Sequence, residues 1–319
     1  MTSQTAHAVR VACIGECMVE LSPAENGLFK QAFAGDTLNT AIYIARTAAH
    51  AIDTSYITAI GKDSFSDRMI DFFQSENINC QWISRLPEKV PGLYAIELDA
   101  YGERSFSYWR SDSAARALFS HGLTPAQRSE LAESFDLYYL SGISLAILDE
   151  GSRELLKKTL TRARERGAKV AFDSNYRPRL WSSREQAQSV TSEFLALTDI
   201  ALVTFDDEQA LFGDQSITDT MNRLSAIPEV VIKQGGDGCS IMVNQALSFV
   251  PASVVRQIVD TTSAGDSFNG GYLARRMSGD APEAAAAFAH RLAASVIQYK
   301  GAIIPTSVTS RLMEQTQPC

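Results

Sequence analysis

Asp260-Thr261-Thr262-Ser263-Ala264-Gly265-Asp266-Ser267-Phe268-Asn269-Gly270-Gly271 is the stretch on which the reading of this chain turns. It follows an apolar run at residues 254–259 and precedes a helical pattern at residues 268–277. Its threonines, serine and first glycine therefore fall where a strand is expected to give way to a helix N-terminus. The first N–H groups of a helix have no partner within it. The aligned peptide dipoles add about half a positive charge at that end. Such a corner binds anions, phosphate above all. Gly265 lets backbone approach the anion with no Cβ in the way. Asp266 then lies on the first turn, beside the anion. Two roles fit it: a helix-start acid that favours the dipole, or a general base that takes a proton from an attacking hydroxyl.

Outward from this corner, strand patterns alternate with helix patterns. Strands are expected at residues 9–14, 17–21, 56–60, 137–143, 169–172, 200–203 and 230–233, and helices at 67–76, 152–166 and 282–300. Alternation on this scale implies parallel βαβ units in a doubly wound sheet. Residues 92–98 and 104–109 read as a hairpin joined by residues 100–103. The 319 residues are 45% hydrophobic and carry a net charge of -8, an ordinary globular composition. The acidic balance argues against nucleic acid or an anionic membrane as the main partner. No apolar run reaches the roughly 18 residues of a membrane helix. Residues 1–10 lack the apolar core of a signal peptide and read as a tail. Five cysteines, an odd number set mostly in apolar segments, suggest a reducing cytoplasm. Cys13 and Cys17 read as buried thiols, since no second ligand pair lies near them. Walker A, His-Glu-x-x-His and Gly-x-Ser-x-Gly patterns are absent, and there is no internal repeat.

Several further runs carry chemistry. Gly35-Asp36-Thr37-Leu38-Asn39 opens a helix; it suits capping, and it also offers the several hydroxyl partners a polyol needs. Tyr94 and Tyr108 read as strand aromatics, and Arg110 as a strand-end charge. Asp173-Ser174-Asn175-Tyr176-Arg177 follows a strand, at the end where open α/β sheets place ligands. Asp206, Asp207 and Glu208 after Thr204 form an acidic helix start that also suits hydrated magnesium. Lys233 precedes a glycine loop, Gly235-Gly236-Asp237-Gly238, which reads as a tight turn or as a place for nucleotide phosphates and ribose.

The long run D-T-T-x-A-G-D-x-F-x-x-G resembles the C-terminal signature of the ribokinase-like (PfkB) sugar kinases. The resemblance extends from about residue 11 to 305. It implies a three-layer α/β/α sandwich with a mostly parallel central sheet and a small β-sheet lid. It places one kinase domain at 11–310, lid strands within 16–34 and 90–112, and a C-terminal tail at 311–319. Asp266 is then the catalytic base, and the amides of Ser263, Ala264 and Gly265 form the anion hole. Gly35, Asp36, Thr37 and Asn39, after Ile14-Gly15-Glu16-Cys17-Met18, are similar to the ketodeoxygluconate kinase branch, with Ala34 replacing the first family glycine. That branch implies that Tyr94, Tyr108 and Arg110 hold an acid sugar, with Arg110 facing its carboxylate. A planar guanidinium suits that contact, because it offers two parallel hydrogen bonds. The branch further implies Asn175 near the phosphates and Arg177 on the substrate carboxylate or the transferred phosphate. Lys233, Gly235, Gly236 and Gly238 become the nucleotide loop. The wider family carries Asn-x-x-Glu where this chain has Thr204 and Asp207, so Asp207 is the candidate for magnesium among the three acids. The implied activity is magnesium- and ATP-dependent phosphorylation of 2-dehydro-3-deoxy-D-gluconate at its C6 hydroxyl. The rivals are a neutral-sugar kinase such as a fructokinase, and a non-catalytic regulator. A monovalent cation such as K+, the C4 epimer and pairing of the lids into a homodimer stay open.

Overall fold

The computed structural model describes residues 8–48, 52–98 and 104–315; the expected hairpin turn at 100–103 lies outside them. In chain order the strands are β1 (Val9–Ile14), β2 (Met18–Pro23), β3 (Phe29–Ala34), β4 (Ile52–Ile60), β5 (Ile83–Arg85), β6 (Gly92–Leu98), β7 (Arg104–Trp109), β8 (Leu137–Ser141), β9 (Lys169–Asp173), β10 (Ile200–Thr204), β11 (Glu229–Lys233), β12 (Gly238–Val243) and β13 (Ala246–Pro251). Nine of them form one sheet, ordered β13-β12-β11-β10-β9-β8-β1-β4-β5. From β5 to β11 all neighbours are parallel. Only β12 and β13 run antiparallel, at one edge.

Strands buried on both faces read as nearly continuous apolar runs, and their alternate residues feed two separate cores. Ala12, Ile14, Tyr138, Leu140, Val170 and Phe172 pack on one side, with Leu156, Leu160 and Ala163 of helix Glu150–Glu165. Val11, Cys13, Leu137, Tyr139 and Ala171 pack on the other, with helices Asp36–Thr47, Ala264–Met277 and Pro282–Val296. Helices on both faces of one sheet make the three layers. The remaining strands form a second sheet, β3-β2-β6-β7. No helix among the described residues is long and apolar enough to cross a membrane.

Five expectations are corrected. Residues 254–259 are not a strand: Val254 is 98% exposed, and β13 is the last strand before the signature. The chain there answers to a helix end instead, since Val259 and Asp260 N–H both donate to Ile297 O, at 2.8 and 3.1 Å. Strand 137–143 stops at Ser141, whose hydroxyl caps helix Gly142–Ile147 by accepting from Ser144 N at 3.3 Å. β1 already includes Val9, within the expected tail, and the last helix, Thr306–Glu314, runs past residue 310. The long helix expected to reach residue 300 ends at Val296.

Candidate active site

The parallel strands deliver their last residues to one edge of the sheet. Ser141 ends β8, Asp173 ends β9, Thr204 ends β10 and Lys233 ends β11. Above them lies a cleft of about 470 Å³, walled by the starts of helices Asp36–Thr47 and Ala264–Met277 and roofed by Met18, Tyr94, Phe106 and Tyr108 of the small sheet. Ligands of open α/β sheets bind at this edge.

Asp266 stands on the first turn of helix Ala264–Met277. Ser263, the residue before that helix, adopts a left-handed conformation, φ 64°. This sharp turn aims the helix start at the cleft. Ala264 N–H closes the turn onto Thr261 O at 3.2 Å. Gly265 and Asp266 N–H have no acceptor among the described residues. Of the three amides expected in the anion hole, Ala264's is thus already engaged, and Asp266's own N–H joins Gly265's as an open donor. The Asp266 carboxylate accepts from Asn39 Nδ2 at 2.8 Å. Loss of hydration, and next the nearby Asp36 charge, push its pKa up to about 7, against the opposing Asn39 hydrogen bond. A carboxyl group so placed exchanges a proton near neutral pH.

Asp36 is held by Ser141 Oγ at 2.5 Å and Asn175 Nδ2 at 2.8 Å. Gly35, Asp36 and Asn39 line the cleft, as do Tyr94, Tyr108, Asn175, Arg177, Asp207, Lys233 and the run Ser263, Ala264, Gly265, Asp266. Thr37 does not. It is fully buried, with Oγ1 3.2 Å from Tyr56 OH. Arg110 is also absent from the lining, and its guanidinium donates to Glu16. Tyr94 lends its ring to the cleft but donates its hydroxyl to Glu20. Arg177 is half exposed, 3.5 Å from Asp207 Oδ1. Gly235, Gly236 and Gly238 lie beyond the cleft lining, in a turn closed by Gln234 N donating to Gly238 O at 2.9 Å. A Cβ on Gly235 or Gly236 would meet nothing within 4 Å, so the loop is open on that side.

The acidic run separates into distinct roles. Glu208 is fully buried and paired with Arg223 at 2.5 Å, away from the cleft. Asp206 and Asp207 line the cleft. Loss of hydration, and next the Asp173 charge, raise the Asp207 pKa to about 6. Negative charge gathered there suits a cation. Among the described residues no group of three or more His, Cys, Asp or Glu forms a metal cage. Magnesium needs none, since it takes one or two carboxylates, waters and substrate phosphates.

At the floor of the cleft lies a network the sequence reading passed over. Lys233 Nζ donates to Asp173 Oδ2 at 2.9 Å and Asn269 Oδ1 at 3.0 Å, and Asn269 Nδ2 donates to Asp173 Oδ2 at 2.7 Å. Lys233 Nζ also lies 3.6 Å from where a Gly265 Cβ would sit, so a paired cation underlies the helix start. The available signal was polarity out of place: an acid ending a buried strand, and an asparagine among the buried residues of a helix.

The profile described as pfkB family carbohydrate kinase matches residues 9–309. A 2-dehydro-3-deoxygluconokinase of Escherichia coli strain K12 is 48% identical over 303 residues, covering 93% of this chain and 97% of that protein. A fructokinase of Klebsiella pneumoniae is 27% identical over 301 residues, covering 93% and 94%. Among solved structures, 2-dehydro-3-deoxygluconokinase from Thermotoga maritima superposes with a TM-score of 0.84 at 21% identity, covering 97% of this chain and 99% of that one.

Proposed function

The chain belongs to the pfkB family of carbohydrate kinases, and from that premise we propose that it phosphorylates 2-dehydro-3-deoxy-D-gluconate at the C6 hydroxyl, with ATP as donor. One observation carries the chemistry: a carboxyl group raised to about 7 stands on the first turn of a helix whose Gly265 and Asp266 amides are open. In this reading Asp266 accepts the proton of the C6 hydroxyl as its oxygen attacks the γ-phosphorus. The bond to the ADP oxygen breaks, and ADP leaves with that electron pair. The open amides at the helix start receive the charge on the transferred phosphoryl oxygens. Such transfer asks chiefly for positioning and charge stabilisation. Asn39 fixes the Asp266 carboxylate, and Lys233 supplies a positive charge beneath the phosphate path. Asp206 and Asp207 would hold magnesium, which supplies charge neutralisation to the phosphates when bound.

Identity of 48% to the E. coli sugar-acid kinase, against 27% to a fructokinase over a similar span, supports the acid substrate. A neutral ketose is the rival reading, since Arg110 lies outside the cleft lining of the free protein. The test is an ADP-release assay with magnesium-ATP that compares 2-dehydro-3-deoxy-D-gluconate, fructose and ribose, with the phosphorylated carbon located by NMR. Strong preference for the acid and a 6-phosphate product are expected. Preference for fructose would overturn the substrate, and absence of turnover with any sugar would overturn the kinase reading.

A further inference from the structure

The small sheet that roofs the cleft carries two buried carboxylates, Glu16 at its root and Glu20, to which the sequence assigned no role. Met18 pairs with Gly92, Glu20 with Tyr94, and Tyr94 with Tyr108 across the small sheet. Met18, Tyr94 and Tyr108 line the cleft. Side chains alternate along a strand. Just outside β2 and β7, where that alternation ends, Glu16 and Arg110 lie at the root of the roof. There Arg110 Nη2 donates to Glu16 Oε2, and the two side chains are 10% and 1% exposed.

The pair is only half satisfied. Glu16 Oε1 and Arg110 Nε are both buried without a hydrogen-bond partner among the described residues. Buried ion pairs seldom stabilise a fold more than apolar residues of similar volume, and unmade buried hydrogen bonds are costly. Stability alone is a poor account of such a pair. Its surroundings are shaped around it as well. A Cβ on Gly92 would lie 2.8 Å from Glu16 Oε1 and 3.1 Å from Arg110 Cβ, so only glycine leaves the carboxylate its room. The Glu16 carbonyl packs against Gly35, 2.1 Å from where a Cβ would be. Glu16 thus touches both the loop that opens the sugar helix and the root of the roof.

We propose that Glu16 is the positioning residue for recognition of the acid group: its carboxylate holds the Arg110 guanidinium so that the remaining N–H groups take the carboxylate of a sugar acid. A guanidinium has five N–H donors in a fixed fork, and Glu16 fixes the plane of that fork before substrate arrives. Glu16 also balances the buried charge in the free protein, so a sugar without a carboxylate gains nothing from Arg110. The proposal rests on the acid-sugar reading above.

Steady-state kinetics on the wild type, Glu16→Gln, Arg110→Gln and the double variant test it, with 2-dehydro-3-deoxy-D-gluconate and ATP varied separately. Absence of wild-type turnover with the acid would defeat the substrate reading and this proposal with it. With an active wild type, the Glu16 result stands by itself. Glu16→Gln is expected to raise KM for the acid about tenfold or more, as misplacement of a binding group does, with kcat and the KM for ATP little changed. In the Arg110→Gln background the same change is expected to add nothing, because the two residues act as one unit. An unchanged KM for the acid, a parallel rise in KM for ATP, or independent additive effects would overturn the proposal. Should Glu16→Gln fail to fold, the double variant is compared with Arg110→Gln alone. Equal KM values support the proposal, and a further rise overturns it.

Discussion

At the scale of single residues, Asp266 dominates, and its pKa makes the function measurable through pH. A general base works only when ionised, so kcat/KM is expected to rise with an apparent pKa near 7, well above an ordinary carboxylate. Asn39 donates to the ionised form and holds that pKa down. Asn39→Ala is therefore expected to move the acid limb to higher pH, and a limb left in place would remove Asn39 from that role. Asp266→Asn is expected to lower kcat by about 10²–10⁴-fold, as for loss of a general base. The same substitution has a stability signature of opposite sense. The folded-state pKa lies above the unfolded value, so the folded state binds more protons between the two, and ionised Asp266 destabilises the fold as pH rises. Asp266→Asn should then be more stable than the wild type at pH 8, by up to about 4 kcal/mol. The gap should narrow toward pH 5. A variant that loses both activity and stability at pH 8 would mark Asp266 as a structural residue. Of this site the sequence pointed to Asp266 and Gly265 at a helix start, because helix-start chemistry is local. It did not show Asp173 or Asn269 as partners of Lys233, or the pairing of Arg110 with Glu16, because those depend on contacts between distant strands.

At the scale of elements, the site depends on how closely two helices approach. Helix Asp36–Thr47 carries Asn39, and helix Ala264–Met277 carries Asp266. Their contact runs through Gly270, where a Cβ would lie 2.6 Å from Tyr43 Cβ and 2.8 Å from Thr40 O. These are a core side-chain atom and a backbone oxygen, neither of which moves cheaply. Thr40 itself donates to Asp266 O at 3.2 Å, on the residue whose carboxylate Asn39 holds. Gly270→Ala is thus expected to destabilise by about 1–3 kcal/mol, the usual range for overpacking, and to lower kcat by separating Asn39 from Asp266. Denaturant unfolding and turnover measured on the same preparation check both halves. A stable variant with full activity would show that the two helices can part without disturbing the site. The elements were largely legible in the sequence, because period-2 and helical patterns are carried by neighbouring residues. The run at residues 254–259 misled for a physical reason: four of its six residues are apolar, yet Val259 N–H bonds to Ile297 O at a helix end rather than to a strand.

At the scale of the whole molecule, two sheets share one cleft, and they stand in different relations to the two substrates. The main sheet contributes Asp173, Thr204 and Lys233, while the small sheet contributes Met18, Tyr94, Phe106 and Tyr108. The small sheet has one face on the cleft and exposes large apolar side chains elsewhere, Phe29 at 58% and Trp109 at 61%. It is therefore the less buried unit, and its hydrogen bonds are expected to open more readily than those of the nine-stranded sheet. A sugar acid bound between Tyr108 above and Asp36 below would bridge the small sheet and helix Asp36–Thr47. Nucleotide at the Lys233 and Gly235 end would rest on the main sheet alone. Ligand that binds only when the small sheet is folded in place stabilises that state by mass action, about 2.7 kcal/mol at a hundredfold excess over Kd. Hydrogen exchange should report this directly. Amides of β2, β3, β6 and β7 are expected to slow on addition of 2-dehydro-3-deoxy-D-gluconate, whereas ATP alone should slow those near Lys233 and leave the small sheet unchanged. Equal protection of the small sheet by ATP alone would place the nucleotide beneath it, and the assignment of the two ends of the cleft would have to be reversed.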